Sequence, residues 1–166
     1  MDDFILSQKL LSLTDNYCDI QGYQEYENQC NQIRKDNAKF LSLFEEDLRN
    51  NGLAEKTIRR HLDNVDFYIN EFLLREGPLS MDRGMFYLDA FLGDFFIRKC
   101  MWSTPASIKS TAASIKKFYK SMLDHSKVEA DDYKQLCEEI KERMVFWQAS
   151  CEQYNDCDSP NPFSFF

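Results

Sequence analysis

Apolar residues recur at three- and four-residue steps along nearly the whole chain, and the alternation of a half-buried strand is scarce. A short first helix is expected over Phe4 to Tyr17, carrying Phe4, Ile5, Leu10, Leu11 and Leu13, with Gly22 separating it from the next. A long second helix follows from about Gln24 to Arg49, along Cys30, Ile33, Phe40, Leu41, Phe44 and Leu48. Asn50-Asn51-Gly52 stops it, because Asn and Gly accept the left-handed conformation at a helix C-terminus. The third, Glu55 to Arg75, has the stripe Ile58, Leu62, Val65, Ile69, Phe72 and Leu73, and ends at Gly77-Pro78. The fourth, Arg83 to Cys100, carries Phe86, Leu88, Phe91, Leu92, Phe95 and Phe96. It is apolar around much of its circumference and is expected to be the most buried element. Ser103-Thr104-Pro105 opens the fifth, a capping hydroxyl before a first-turn proline, and this helix runs to Asp124. The sixth begins near Glu129, with Tyr133, Leu136, Ile140, Met144 and Trp147 on its inner face.

The pattern therefore predicts an all-α bundle of about six helices, with Phe91, Phe95, Ile58, Leu62, Ile69 and Ile115 buried. Its length of 166 residues suits one domain, and 43% apolar residues with 14% aromatics exclude intrinsic disorder. Five Gly and four Pro are too few for an all-β chain of tight turns. The acidic N-terminus does not read as a signal peptide, and no window approaches a membrane span, so a cytoplasmic protein without a membrane partner is expected.

Chemistry-bearing constellations are sparse. The six cysteines Cys18, Cys30, Cys100, Cys137, Cys151 and Cys157 form no CxxC pair, so neither a zinc site nor a disulfide framework is expected, only reduced thiols. Ile58 and Met122 stand three residues before His61 and His125, so the Glu-x-x-His pattern of di-iron bundles is missing. His61 reads as a boundary residue of its helix and His125 as a helix C-terminal residue. Gly52, Gly77, Gly84 and Gly93 are isolated and make no phosphate loop. The neighbouring acids Glu45-Glu46, Asp131-Asp132 and Glu138-Glu139 diverge by about 100° on a helix and form no catalytic dyad. No enzymatic activity, cofactor or metal is expected.

Charge is more informative. The chain carries −8 in total, yet residues 98–127 hold seven bases (Arg98, Lys99, Lys109, Lys116, Lys117, Lys120, Lys127) against Asp124 alone. On the fifth helix Lys109, Lys116 and Lys120 fall within about 40° of one another. Lys117 flanks them, and Ser107, Ser110, Ser114 and Ser121 continue the polar side. Ile108, Ala112, Ile115, Tyr119 and Met122 take the opposite side. Such a face suits a phosphate backbone; it is also what an ordinary solvated face looks like, paired with acids of the sixth helix. Lys56, Arg59 and Arg60 form a second basic spot, with Asp63 spaced to pair with either arginine.

The stretch Asn37 to Leu74, NAKFLSLFEEDLRNNGLAEKTIRRHLDNVDFYINEFLL, resembles the N-terminal core-binding domain of tyrosine recombinases, the phage-integrase type. Leu48-Arg49, Gly52-Leu53 and Glu55-Lys56-Thr57-Ile58-Arg59 carry the likeness, with Ala54 where the family has a capping Ser. It resumes in Ser107 to Leu123, where Ile108, Ile115, Phe118, Tyr119 and Leu123 occupy the apolar positions. The resemblance implies a SAM-like helical core over residues 37–127, an N-terminal helical extension over 1–36, and an acidic helix with an aromatic tail over 128–166. It further implies a non-catalytic domain that contacts double-stranded DNA through Lys109, Lys116, Lys117 and Lys120, helped by Lys56, Arg59 and Arg60. Nothing after Lys127 resembles the family's catalytic domain. The alternative is a helical protein-interaction module on the same scaffold that has lost DNA. Phe163, Phe165 and Phe166 at the C-terminus suit an anchor into an apolar groove, on the same chain or on a second copy.

Overall fold

A computed structural model describes the backbone of residues 2–164 and the side chains of residues 20–164. Among the described residues there are five helical rods and one 3-10 helix, and no strand. Helix α1 is Asp2–Asn50. Helix α2 runs through Glu55–Asp66, a π-helical turn Phe67–Phe72, and Leu73–Glu76. The 3-10 helix is Met81–Phe86. Helix α3 comprises Leu88–Ala90, a second π-helical turn Phe91–Phe95, and Phe96–Lys99. Helices α4 and α5 are Pro105–Asp124 and Ala130–Asn155.

Two boundaries differ from the pattern-based expectation. The first two expected helices are one: Gly22 lies inside α1, in open surroundings. A single exposed Gly costs a helix about 1 kcal/mol relative to Ala, too little to break one this long. The expected fourth helix is two elements, divided at Tyr87. Phe86 therefore leaves the apolar stripe and is 47% exposed. Elsewhere the punctuation is as read: Gly52 has φ +74°, and Thr104 with Ser107 closes a capping box ahead of α4 with Pro105 in its first turn.

The two π-helical turns decide how the rods pack. In each, a backbone N–H reaches five residues back, Leu73 to Tyr68 and Phe96 to Phe91. The wider turn brings more of the circumference to one side. Phe91 sits 4.7 Å from Tyr68 and 4.9 Å from Phe72 by ring centroid, and Phe72 is 5.1 Å from Phe95. Phe67 touches both Phe91 and Phe95 at the margin. These tilted, edge-on contacts suit aromatic quadrupoles. Ile58, Ile69, Phe91 and Ile115 are buried as expected; Leu62 and Phe95 are half-buried instead, while His61 and Tyr68 are buried.

Around this cluster the other helices are fastened by polar groups. Asn37 of α1 donates to Ile69 O (3.3 Å) and Asn70 Oδ1 (2.8 Å) in the π turn of α2. Tyr26 Oη donates to Leu74 O, satisfying a carbonyl that the end of α2 leaves without a helical partner. Asp89 of α3 accepts from Arg143 Nε at 3.0 Å and Trp147 Nε1 at 2.6 Å, both on α5. Leu136, Trp147 and Cys151 of α5 belong to the same core as α1–α4.

The chain after α5 folds back on its own bundle. Phe163 packs 5.8 Å from the Tyr154 ring and 5.5 Å below the Arg98 guanidinium, and Gln153 donates to Pro160 O at 2.8 Å. Anchoring in cis is thus realised by Phe163; Phe165 and Phe166 lie outside the described residues. Replacing Phe163 by Ala should cost about 1 kcal/mol, since the ring is only half-buried. Chemical denaturation of the variant checks this, and an unchanged midpoint would refute the anchoring role. Gly84→Ala should cost about 1–3 kcal/mol. A Cβ there would lie 2.5 Å from Tyr119 Oη and 2.7 Å from Leu73 Cδ1, and the same titration reads it.

Candidate nucleic-acid interface

Helix α2 lies against α4, and the contact is made by polar groups as well as by Ile58 and Ile115. Ser114 Oγ stands 2.8 Å from His61 Nδ1, accepts from Asn64 Nδ2 at 3.0 Å, and lies 3.0 Å from Ser110 O. A hydroxyl has one proton. With that proton on Ser110 O, His61 donates from Nδ1. Two turns C-terminal, Ser121 Oγ donates to Asp47 Oδ2 at 2.5 Å, and His125 Nε2 approaches the same oxygen at 2.9 Å. A polar seam thus runs down the buried side of α4, tying it to α2 and then to α1.

This seam corrects two readings. His61 is not a boundary residue; it is buried, with 6% exposure. The serines of α4 do not extend a phosphate-facing surface. Ser114 and Ser121 are buried in the seam, and Ser107 is engaged in the capping box at Thr104. Their spacing matches an amphipathic polar face, but small hydroxyls also fit between closely packed helices when a partner is present.

The basic residues are placed differently. Lys109, Lys116, Lys117 and Lys120 on α4, and Lys56, Arg59 and Arg60 on α2, are all exposed. Lys120 is paired with Asp124 at 2.5 Å, an exposed bridge of the kind worth about 0–1 kcal/mol. Among the described residues the other six make no ion pair, Asp63 included as a partner, and no acid of α5 reaches them. The two basic spots meet at the seam. Arg60 precedes His61, Lys117 lies one turn beyond Ser114, and both act electrostatically on the imidazole. The His61 pKa is lowered, first by burial and then by Arg60 and Lys117.

Other chemistry is thin. Among the described residues no group of three His, Cys, Asp or Glu side chains is placed to hold a metal ion. Cys30, Cys100, Cys137, Cys151 and Cys157 are free thiols, and burial pushes Cys100 up to about 11. Cys18 lies outside the described side chains. Among the described residues no helix is long and apolar enough to cross a membrane. No protein-family model, no curated protein and no solved structure matches the chain.

The depressed His61 pKa has a measurable consequence. A group whose pKa falls on folding gives stability that is complete above its ordinary value of 6.5 and is lost as pH drops through the lower folded-state value. Protonation would put a third cation beside Arg60 and Lys117. Wild-type stability should therefore fall on acidification below about pH 6.5. His61→Gln, which keeps a donor to Ser114, should fall less over the same window in parallel urea titrations. Equal slopes for the two proteins would contradict this.

Proposed function

We propose that this chain is a non-catalytic DNA-binding domain that grips the backbone of a duplex across α2 and α4. The observation that carries the reading is the set of six exposed cations that have no ion-pair partner among the described residues, on two helices locked side by side. With Lys56, Arg59, Arg60, Lys109, Lys116 and Lys117 unpaired among the described residues, this face has a local field that attracts a polyanion despite the net charge of −8. The acids elsewhere limit contact to this face. The resemblance of residues 37–124 to the core-binding domain of tyrosine recombinases points the same way, since that domain clamps one side of DNA with helices at these positions. In this reading strand cleavage is no part of what these residues do, and phosphate contacts position the duplex without reading its sequence.

With about four phosphates neutralised, log affinity for a duplex should fall against log salt with a slope near −3.6. Lys109→Glu/Lys116→Glu/Lys117→Glu should abolish the gel shift at low salt while leaving the helical circular dichroism unchanged. Failure of the wild type to shift any duplex at low salt would favour the protein-interaction module instead.

A further inference from the structure

At the far end of α2 from Lys56 lies a groove of about 560 Å³, floored by α2 and walled by α1 and the α3–α4 loop. Arg34, Arg75 and Lys99 line it together with Phe67 and Trp102, and among the described residues Glu71 is its one acid. Among the described residues none of the three cations is in an ion pair. The Arg75 guanidinium lies over the Phe95 ring, 5.5 Å from its centroid, which holds it in place without neutralising it.

The Trp102 indole is 60% exposed and stands in a T-shaped contact with Phe67 at 5.9 Å. Its loop is not loose. Ser103 Oγ donates to Ile97 O at 3.2 Å, Asn155 Nδ2 of α5 donates to Ser103 O at 2.8 Å, and Ser107 Oγ donates to Trp102 O at 3.3 Å. The indole is therefore presented on a braced support, with cations on the other wall of the groove.

We infer that this groove binds single-stranded nucleic acid, an unpaired base stacking on Trp102 while neighbouring phosphates meet Arg34, Arg75 and Lys99. An exposed aromatic ring among cations is the composition by which single strands are held without sequence preference. A paired base cannot offer its face to the indole, so the site complements the duplex-gripping face and does not repeat it. Both lie along α2, Arg59 two turns before Phe67. The inference deepens the DNA-binding reading and rests on it.

The chain supplies its own reporter. It has two tryptophans, and Trp147 is fully buried with its Nε1–H on Asp89, so quenching by a ligand reads Trp102. Titration with a short oligothymidylate at low salt should give saturable quenching. Arg34→Glu/Arg75→Glu/Lys99→Glu should abolish it, and Lys109→Glu/Lys116→Glu/Lys117→Glu should change its midpoint only slightly. By anisotropy of a labelled oligothymidylate, Trp102→Ala should bind about tenfold more weakly and Trp102→Phe should recover most of the loss. Trp102→Ala should still shift duplex, which separates failure of this site from failure of the duplex reading. Absence of saturable quenching would overturn the inference. So would equal quenching by polyglutamate, which would mark the groove as a site for acidic peptides, or equal loss on reversing the α4 lysines.

Discussion

Interlocking of the two π-helical turns is the constraint on which the rest of the bundle depends. A regular helix presents a narrow apolar stripe; five-residue hydrogen-bonded loops at Phe67–Phe72 and Phe91–Phe95 widen it, so that α2 and α3 can each offer several rings to the other. Phe91 fills that space against Tyr68 and Phe72, each at a centroid distance below 5 Å. A π turn weakens its own backbone hydrogen bonding, and the helix keeps it because the packing of the rings offsets the loss. The freed polar groups are taken up from outside, Ile69 O by Asn37 of α1.

Both candidate binding surfaces flank that interlock. His61 shares the buried stripe of Ile58 and Val65 ahead of the π turn, its imidazole meets Ser114, and α2 and α4 are pinned with Arg60 and Lys117 at the edge of the contact. Like charges brought this close repel, and the repulsion goes unrelieved among the described residues. Apolar contact and the His61–Ser114–Asn64 hydrogen bonds hold the helices together against it. At the other end, the same aromatic cluster brings Phe67 and Phe95 to its margin. They support Trp102 and Arg75 where both are open to solvent.

The chain's polar side chains divide by size and partner. Long cationic side chains on α4 stay in water, since burying an unpaired charge costs several kcal/mol. Short hydroxyls on the same helix disappear into the seam, since each finds a hydrogen-bond partner there. Spacing alone assigned both kinds to one face. The distinction lies in what stands opposite each residue, and α4 by itself does not contain that information.

Local physics accounts for what was legible from the residues: the all-α class, the stop at Asn50-Asn51-Gly52, the cap at Thr104-Pro105, the apolar cores of α2 and α4, and the exposed basic positions. These follow from periodicity, backbone preference and the cost of burying charge, all of which act within a few residues. The division of the expected fourth helix at Tyr87, the burial of His61, Ser114 and Ser121, and the unbroken passage of α1 through Gly22 were not legible. Nor was the groove that joins Arg34, Arg75, Lys99 and Trp102, which come from three separate parts of the chain. Only the tertiary structure decided these, because a helix tolerates a π turn, an isolated Gly or an inward polar group when neighbouring helices supply the packing and the hydrogen bonds that compensate it.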